Sequence, residues 1–355
     1  MMGGCGMRIA DRGLKTTTLE APFRPQKGIL RLSVARLVAI AVLAVATAIL
    51  AERAADSWQW QGILRSSRRV PETELMQRAA TAKQLMQIAA ACVSDAKRAE
   101  GILCDPALSP ADSPLIGDEL TPLVTTLGSL EAKRIASNPD WARVLTLKLY
   151  SSGLRPGSVL AAGCSGSFPG LNLALATACQ SLDAELIAVS SVTASTWGAN
   201  QPGFTWPEIE ARLVRAGLIR RISAAISLGG QKDIALDLEP SARMLARRIQ
   251  ESSSAALGAS LLSPATLQES VLERLRIYRQ HARGRPIVIY VNIGGTEASM
   301  GASVASFRLH SGFIQARPFD LAPERGVIAR FAEQDVQTLS LLHVEDLALR
   351  WGVRP

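Results

Sequence analysis

Four stretches decide the fold: SVLAAG (158–163), ELIAVSS (185–191), ISAAISL (222–228) and PIVIYVNIG (286–294). Each is a short, mainly apolar run rich in Val, Ile, Leu or Ala; three end in Gly or Ser, and ISAAISL is followed by Gly229-Gly230. Runs this short and continuously apolar predict strands buried on both faces. The intervening segments predict helices at about 168–181, 207–216, 240–250 and 265–283, with Ser252–Ser263 as a loop. Glu324–Glu333 predicts a helix, TLSLL (338–342) a strand and Val344–Trp351 a last helix. Strand–helix alternation of this kind predicts an α/β fold, a mostly parallel sheet with helices on both faces.

Upstream, Leu75, Ala79, Ala82, Met86, Ala89 and Val93 recur at three- and four-residue steps, predicting a helix over 72–100 that packs on the body. Cys104–Pro122 is proline-rich and reads as a loop. A helical region is expected at about 124–136. Asn138-Pro139-Asp140 starts another helix, with Trp141, Leu145 and Leu149 on one face and Gly153 as its stop.

The run Leu37–Ala51 carries no charge. At ~1.5 Å per residue it spans about 22 Å, and Ser33–Arg36 extends it toward the ~30 Å hydrocarbon core. The reading adopted is one uncleaved transmembrane anchor; a cleaved leader ending near Ala44-Val45-Ala46, or a buried helix, are its alternatives. Seven bases precede the run, and Arg53, Arg65, Arg68 and Arg69 follow it, so the bias puts the N-terminus in the cytoplasm and the body outside. The organisation expected is a basic tail (1–36), an anchor (37–51), a helical membrane-proximal region with linker (52–120) and an α/β domain (121–355).

Charge and composition narrow the classes of function. The chain of 355 residues has a net charge of +8, yet residues 1–36 alone hold seven bases against two acids. The remainder is nearly neutral, which argues against nucleic acid as a partner. Five cysteines without a CxxC pair exclude a disulfide scaffold and a zinc ribbon. In an oxidising compartment Cys92, Cys104, Cys164 and Cys179 have the option of pairing, Cys92 with Cys104 locally; the plainer reading buries Cys164 and Cys179 as small hydrophobes. His281, His310 and His343 are too scattered to argue for a metal site. No GxxxxGK[ST] or GxGxxG motif is present, and no cofactor is expected.

In parallel sheets ligands bind beyond the carboxyl ends of the strands. Three loops there share Gly/Ser character: Gly163-Cys164-Ser165-Gly166-Ser167, Gly229-Gly230-Gln231-Lys232-Asp233 and Gly294-Gly295-Thr296-Glu297. Their backbone N–H groups suit an anion. The candidate ligand-binding residues are Ser165, Gly166, Ser167, Gly229, Gly230, Lys232, Asn292, Gly294, Gly295 and Glu297. Ser167 is expected to cap the helix that begins at Phe168-Pro169. Ser165 does not sit in a nucleophile elbow, because the fifth position of G-x-S-x-G is Ser167. Ser165 and Ser167 remain the weak catalytic candidates. Val192–Trp206 places Trp197, Phe204 and Trp206 in one loop, either as anchors on the body or facing a ligand.

Five blocks carry a resemblance: AKRIASNPD (132–140), GCSGSFPGLNLAL (163–175), SSVTASTWGANQPGFTWPEIE (190–210), VNIGGTEASMG (291–301) and GVIARF…LLHVEDLALRWG (326–352). Together they resemble the poly-gamma-glutamate system protein family, over about residues 120–352. That resemblance implies a single-pass protein of the bacterial cytoplasmic membrane and cell envelope. Its implied partners are poly-γ-glutamate synthase and export subunits, and the polymer itself. It carries no catalytic residues across. The function expected is an accessory subunit that binds polymer, an anionic ligand or partner subunits through the Gly/Ser loops. Two other readings stay open: a serine-dependent hydrolase or transferase of γ-glutamyl chains, and a module binding a small phosphorylated ligand through GCSGS.

Overall fold

A computed structural model describes residues 70–102, 114–302, 311–314 and 325–353. The tail, Leu37–Ala51, Cys104 and His310 lie outside the described residues. Among the described residues no helix is long and apolar enough to cross a membrane.

The elements in chain order are α1 (Glu72–Ala99), β1 (Val124–Thr126), α2 (Leu130–Ala136), α3 (Asp140–Ser151), β2 (Val159–Cys164), α4 (Pro169–Ser181), β3 (Glu185–Ser191), β4 (Ala194–Ser195) and α5 (Trp206–Arg215). After these come β5 (Ser223–Ser227), α6 (Pro240–Leu257), β6 (Ser260–Leu261), α7 (Leu267–Ala282), β7 (Ile287–Ile293), α8 (Glu297–Met300), β8 (Gly312–Ile314), α9 (Val327–Ala332), β9 (Gln337–Leu341) and α10 (Val344–Trp351). A seven-stranded sheet runs in the order β6-β5-β3-β2-β7-β9-β8. All its pairings are parallel except β8 with β9. The α/β fold with a mostly parallel sheet expected from sequence is what the chain forms.

The alternation along β2 shows why these runs are buried twice over. Leu160 and Ala162 join a core built with α1, α3, α4 and α5; Val159 and Ala161 face a second core made with α7 and α9. Tyr278, Tyr290 and Phe331 stack at the centre of the second core, with centroids 4.8–6.0 Å apart. Helix α1 is part of the first core through Ala82, Met86, Ala89 and Val93, and Lys83 pairs with Asp140 at 2.9 Å. It packs on the body, as its periodicity predicts.

Three expectations need correction. The stretch 124–136 is not one helix: Val124–Thr126 pairs in parallel with β4, and the helix begins only at Leu130, where Ser129 caps it by accepting the Ala132 N–H. Ser252–Ser263 is not a loop: α6 continues to Leu257 because Ser253, Ser254 and Leu257 are buried, and Gly258 ends it in the left-handed region. Ser167 does not cap α4. Phe168 occupies that position, and the Ser167 hydroxyl instead accepts the Ser195 N–H at 3.0 Å.

The aromatic loop is mostly an anchor. Phe204 and Trp206 are buried, and Trp206 Nε1–H donates to Ser190. Trp197 is half-buried with φ +63. Cys92, Cys164 and Cys179 are free thiols, the last two buried. Burial pushes the Cys179 thiol up to about 12 and that of Cys164 well above its ordinary value, so both behave as small hydrophobes.

Candidate functional site

Strand β2 lies between β3 and β7, so the chain leaves it in one direction and later returns on its other side. The carboxyl ends of β2 and β7 therefore form the topological switch point, where open α/β sheets hold ligands. A cavity of about 520 Å³ opens there. Its lining includes Ser165, Ser167, Phe168, Thr193 and Ser195, together with Gly230, Gln231 and Asp237 and with Gly295, Thr296 and Glu297. All three Gly/Ser loops predicted from sequence contribute to it.

The β2 loop is shaped by its own backbone. Ser165 Oγ accepts the Ser167 N–H at 3.1 Å, and Ser165 O accepts the Asn172 Nδ2–H at 2.8 Å from α4. Gly294 has φ +85, and a Cβ on it would stand 2.8 Å from Ser165 Cβ. The β7 loop can approach the β2 loop only because this position lacks a side chain.

The β5 loop is wound through five positive-φ positions, Gly229, Gly230, Lys232, Asp233 and Ala235. Such a path costs free energy and persists only where its surroundings hold it. The hold is a buried ion pair: Arg274 Nη2 lies 2.7 Å from Asp233 Oδ2, and Ser227 and Ser270 donate their hydroxyls to the same carboxylate. Protein carboxylates already take this loop's N–H groups. Asp237 Oδ1 accepts from Gln231 N at 3.0 Å, and Glu297 Oε2 accepts from Lys232 N at 2.8 Å.

That changes the roles of several predicted residues. Lys232 is exposed and does not line the cavity. Gly166 is buried against β3 and β4, where a Cβ would stand 2.7 Å from Thr193 O, so its freedom serves packing rather than a ligand. Gly229 is placed in the same way, 2.7 Å from Thr193 Oγ1 by the same measure. Asn292 is buried in β7 and donates to Gly294 O at 2.8 Å, bracing the loop from behind. Ser165, Ser167, Gly230, Gly295 and Glu297 line the cavity; Gly166, Gly229, Lys232, Asn292 and Gly294 do not.

The residue that loop patterns alone do not reveal is Lys133. It sits on α2, lines the cavity and is only 3% exposed. Its Nζ stands 3.6 Å from the centre of the Phe168 ring, and among the described residues no hydrogen bond or ion pair reaches that Nζ. Gly170 permits this geometry, since a Cβ there would stand 2.3 Å from Ala136 O and would push α4 off α2. Burial lowers the Lys133 ammonium from 10.5 to about 7. The signal available in sequence was a lysine inside AKRIASNPD, an amphipathic turn otherwise read as ordinary helix.

His281 bonds Ile277 O on α7 and His343 precedes α10; neither lines the cavity. Among the described residues no group of three His, Cys, Asp or Glu side chains is placed to hold a metal. Comparison of the chain with known protein families, with curated proteins and with solved structures finds no match.

Proposed function

We propose that this chain is a membrane-anchored accessory subunit of a bacterial poly-γ-glutamate synthesis and export system, and that it holds a glutamyl group in the switch-point cavity. The family reading rests on the five quoted sequence blocks alone. The observation that favours ligand binding is Lys133: a buried ammonium with no ion-pair partner among the described residues, lining an open cavity, is costly unless an anion completes it. Recognition is then local, since the body outside the tail is nearly neutral. In this reading Leu37–Ala51 is the single anchor, the N-terminus is cytoplasmic and the α/β domain faces outward toward the synthase and export subunits.

Equilibrium dialysis of short γ-glutamyl oligomers against the purified chain tests the binding. Retention by the wild type and its loss in Lys133→Met support the reading; equal retention by the two removes Lys133 from it, and no retention by either removes the ligand.

One observation favours a second reading, a serine-dependent hydrolase or transferase. A lysine that titrates near 7 shares its cavity with the Ser165 and Ser167 hydroxyls, and such a group is able to serve as a base. Ser165→Ala and Ser167→Ala separate the two. A binding subunit keeps most of its effect on polymer output in cells, whereas an enzyme loses nearly all of it through one of the two substitutions in folded protein.

A further inference from the structure

Three charged side chains of the cavity lack an ion-pair partner among the described residues: the Lys133 ammonium and the carboxylates of Asp237 and Glu297. Each carboxylate spends one oxygen on a backbone N–H, Asp237 Oδ1 on Gln231 and Glu297 Oε2 on Lys232. Those bonds fix the two side chains on the wall formed by the β5 and β7 loops. The second oxygens, Asp237 Oδ2 and Glu297 Oε1, take no hydrogen bond among the described residues. Lys133 lines the same cavity from another element, α2, with its Nζ over the Phe168 ring. The lining of one cavity therefore offers both a cation, from α2, and acceptors of positive charge, from the β5 and β7 loops.

We propose that the cavity binds a zwitterionic α-amino acid group, its carboxylate on Lys133 and its ammonium on Asp237 and Glu297. The inference rests on the glutamyl-binding reading above and narrows it. Along the interior of a γ-glutamyl chain the nitrogens are amides and the free groups are α-carboxylates, which Asp237 and Glu297 would repel. Only the amino end carries both an ammonium and a carboxylate on one carbon. The site is thus built for that end, or for a free amino acid, rather than for the polyanionic stretch between the ends. The volume of about 520 Å³ suits a ligand of one or two residues. Ser165, Ser167 and Gly295 are also part of the lining.

The charged groups around Lys133 are consistent with this division. Glu131 and Arg134 share α2 with it, and Arg134 lies near Glu131 at 3.7 Å. Glu345 of α10 accepts the Ser129 hydroxyl at 3.2 Å. None of these carboxylates forms an ion pair with Lys133 among the described residues, so its charge is left for a ligand.

Isothermal titration calorimetry of the full chain in detergent micelles tests the proposal with the dipeptide γ-glutamyl-glutamate and its N-acetyl derivative. The free amine should bind about ten-fold or more tighter, the usual worth of a charge-assisted contact. The isosteric variants Asp237→Asn and Glu297→Gln should remove that preference while leaving the acetylated form bound as before, and Lys133→Met should abolish both. Thermal melting of each unliganded variant separates lost binding from lost fold. Equal affinity for the two dipeptides overturns the zwitterion assignment and leaves the anion-binding reading standing. A preference that survives both acidic-residue variants overturns the roles of Asp237 and Glu297. Failure of both ligands to bind wild-type protein removes this proposal together with the reading beneath it.

Discussion

Lys133 Nζ rests 3.6 Å above the ring of Phe168, and this contact joins the helix that precedes the sheet to the loop that follows its first central strand. The aromatic face gives the ammonium partial compensation where, among the described residues, no carboxylate forms an ion pair with it. Burial acts against that compensation and lowers the ammonium to about 7.

The first prediction concerns pH. The folded-state pKa of Lys133 is depressed from 10.5 to about 7, so between these values the unfolded chain binds more protons than the folded one. Stability attributable to this residue therefore rises as pH increases across that window, by at most about 1.4 kcal/mol per pH unit. Urea denaturation midpoints at pH 6.5, 8 and 9.5 (buffer values chosen to span about that window) should show the rise in wild type and lack it in Lys133→Met. An anionic ligand reverses the shift, so its binding takes up a proton above pH 7, detectable as a dependence of the binding heat on buffer ionisation enthalpy.

Gly294 and Gly217 make a matched pair. Both have positive φ, but a Cβ at Gly294 would stand 2.8 Å from Ser165 Cβ, whereas nothing lies within 4 Å at Gly217. Gly217→Ala should cost only the backbone strain, about 1–2 kcal/mol. Gly294→Ala adds the displacement of Ser165, for about 2–4 kcal/mol in total, and should disturb the cavity. Chemical denaturation gives the two costs, and ligand titration shows whether only Gly294→Ala lowers affinity.

The Asp233–Arg274 pair should behave as a buried ion pair that holds a strained loop. Arg274→Met leaves the Asp233 carboxylate uncompensated at 1% exposure, and should destabilise by about 3–5 kcal/mol. The double variant Asp233→Leu/Arg274→Met should recover part of that loss. It should not recover ligand binding, because Ser227 and Ser270 then no longer tether the path from Gly229 to Asp233. A double variant that binds normally would show that the loop keeps its shape without the carboxylate.

Thiol accessibility checks the cores independently. Cys164 and Cys179 are buried and their thiols are held protonated, while Cys92 is half-buried on α1. Maleimide labelling of native protein, mapped by mass spectrometry, should modify Cys92 well before either of the other two. Rapid labelling of Cys164 would contradict the packing of β2 beneath the site.

The long regular elements were legible in the chain itself. A helix such as 72–99 repeats its apolar positions often enough to announce one buried stripe, and the runs at 159–164, 185–191, 223–227 and 287–293 are mainly apolar without alternation because both faces of the sheet are covered. The Gly/Ser loops at strand ends were equally visible, and so was the prospect that they meet. Tertiary structure alone decided the rest. Strands of two or three residues, 124–126, 194–195 and 312–314, have no periodicity of their own and exist through a partner strand. A glycine looks the same in sequence whether it faces a ligand or, like Gly166, the carbonyl of Thr193. Most of all, Lys232 and Lys133 carry identical side chains, and local pattern favoured the one in the glycine loop. Which lysine is exposed and which is stripped of water depends on what packs around it, and for Lys133 that is decided by Phe168, more than thirty positions along the chain. Desolvation is a property of neighbours, and the neighbours are chosen by the fold.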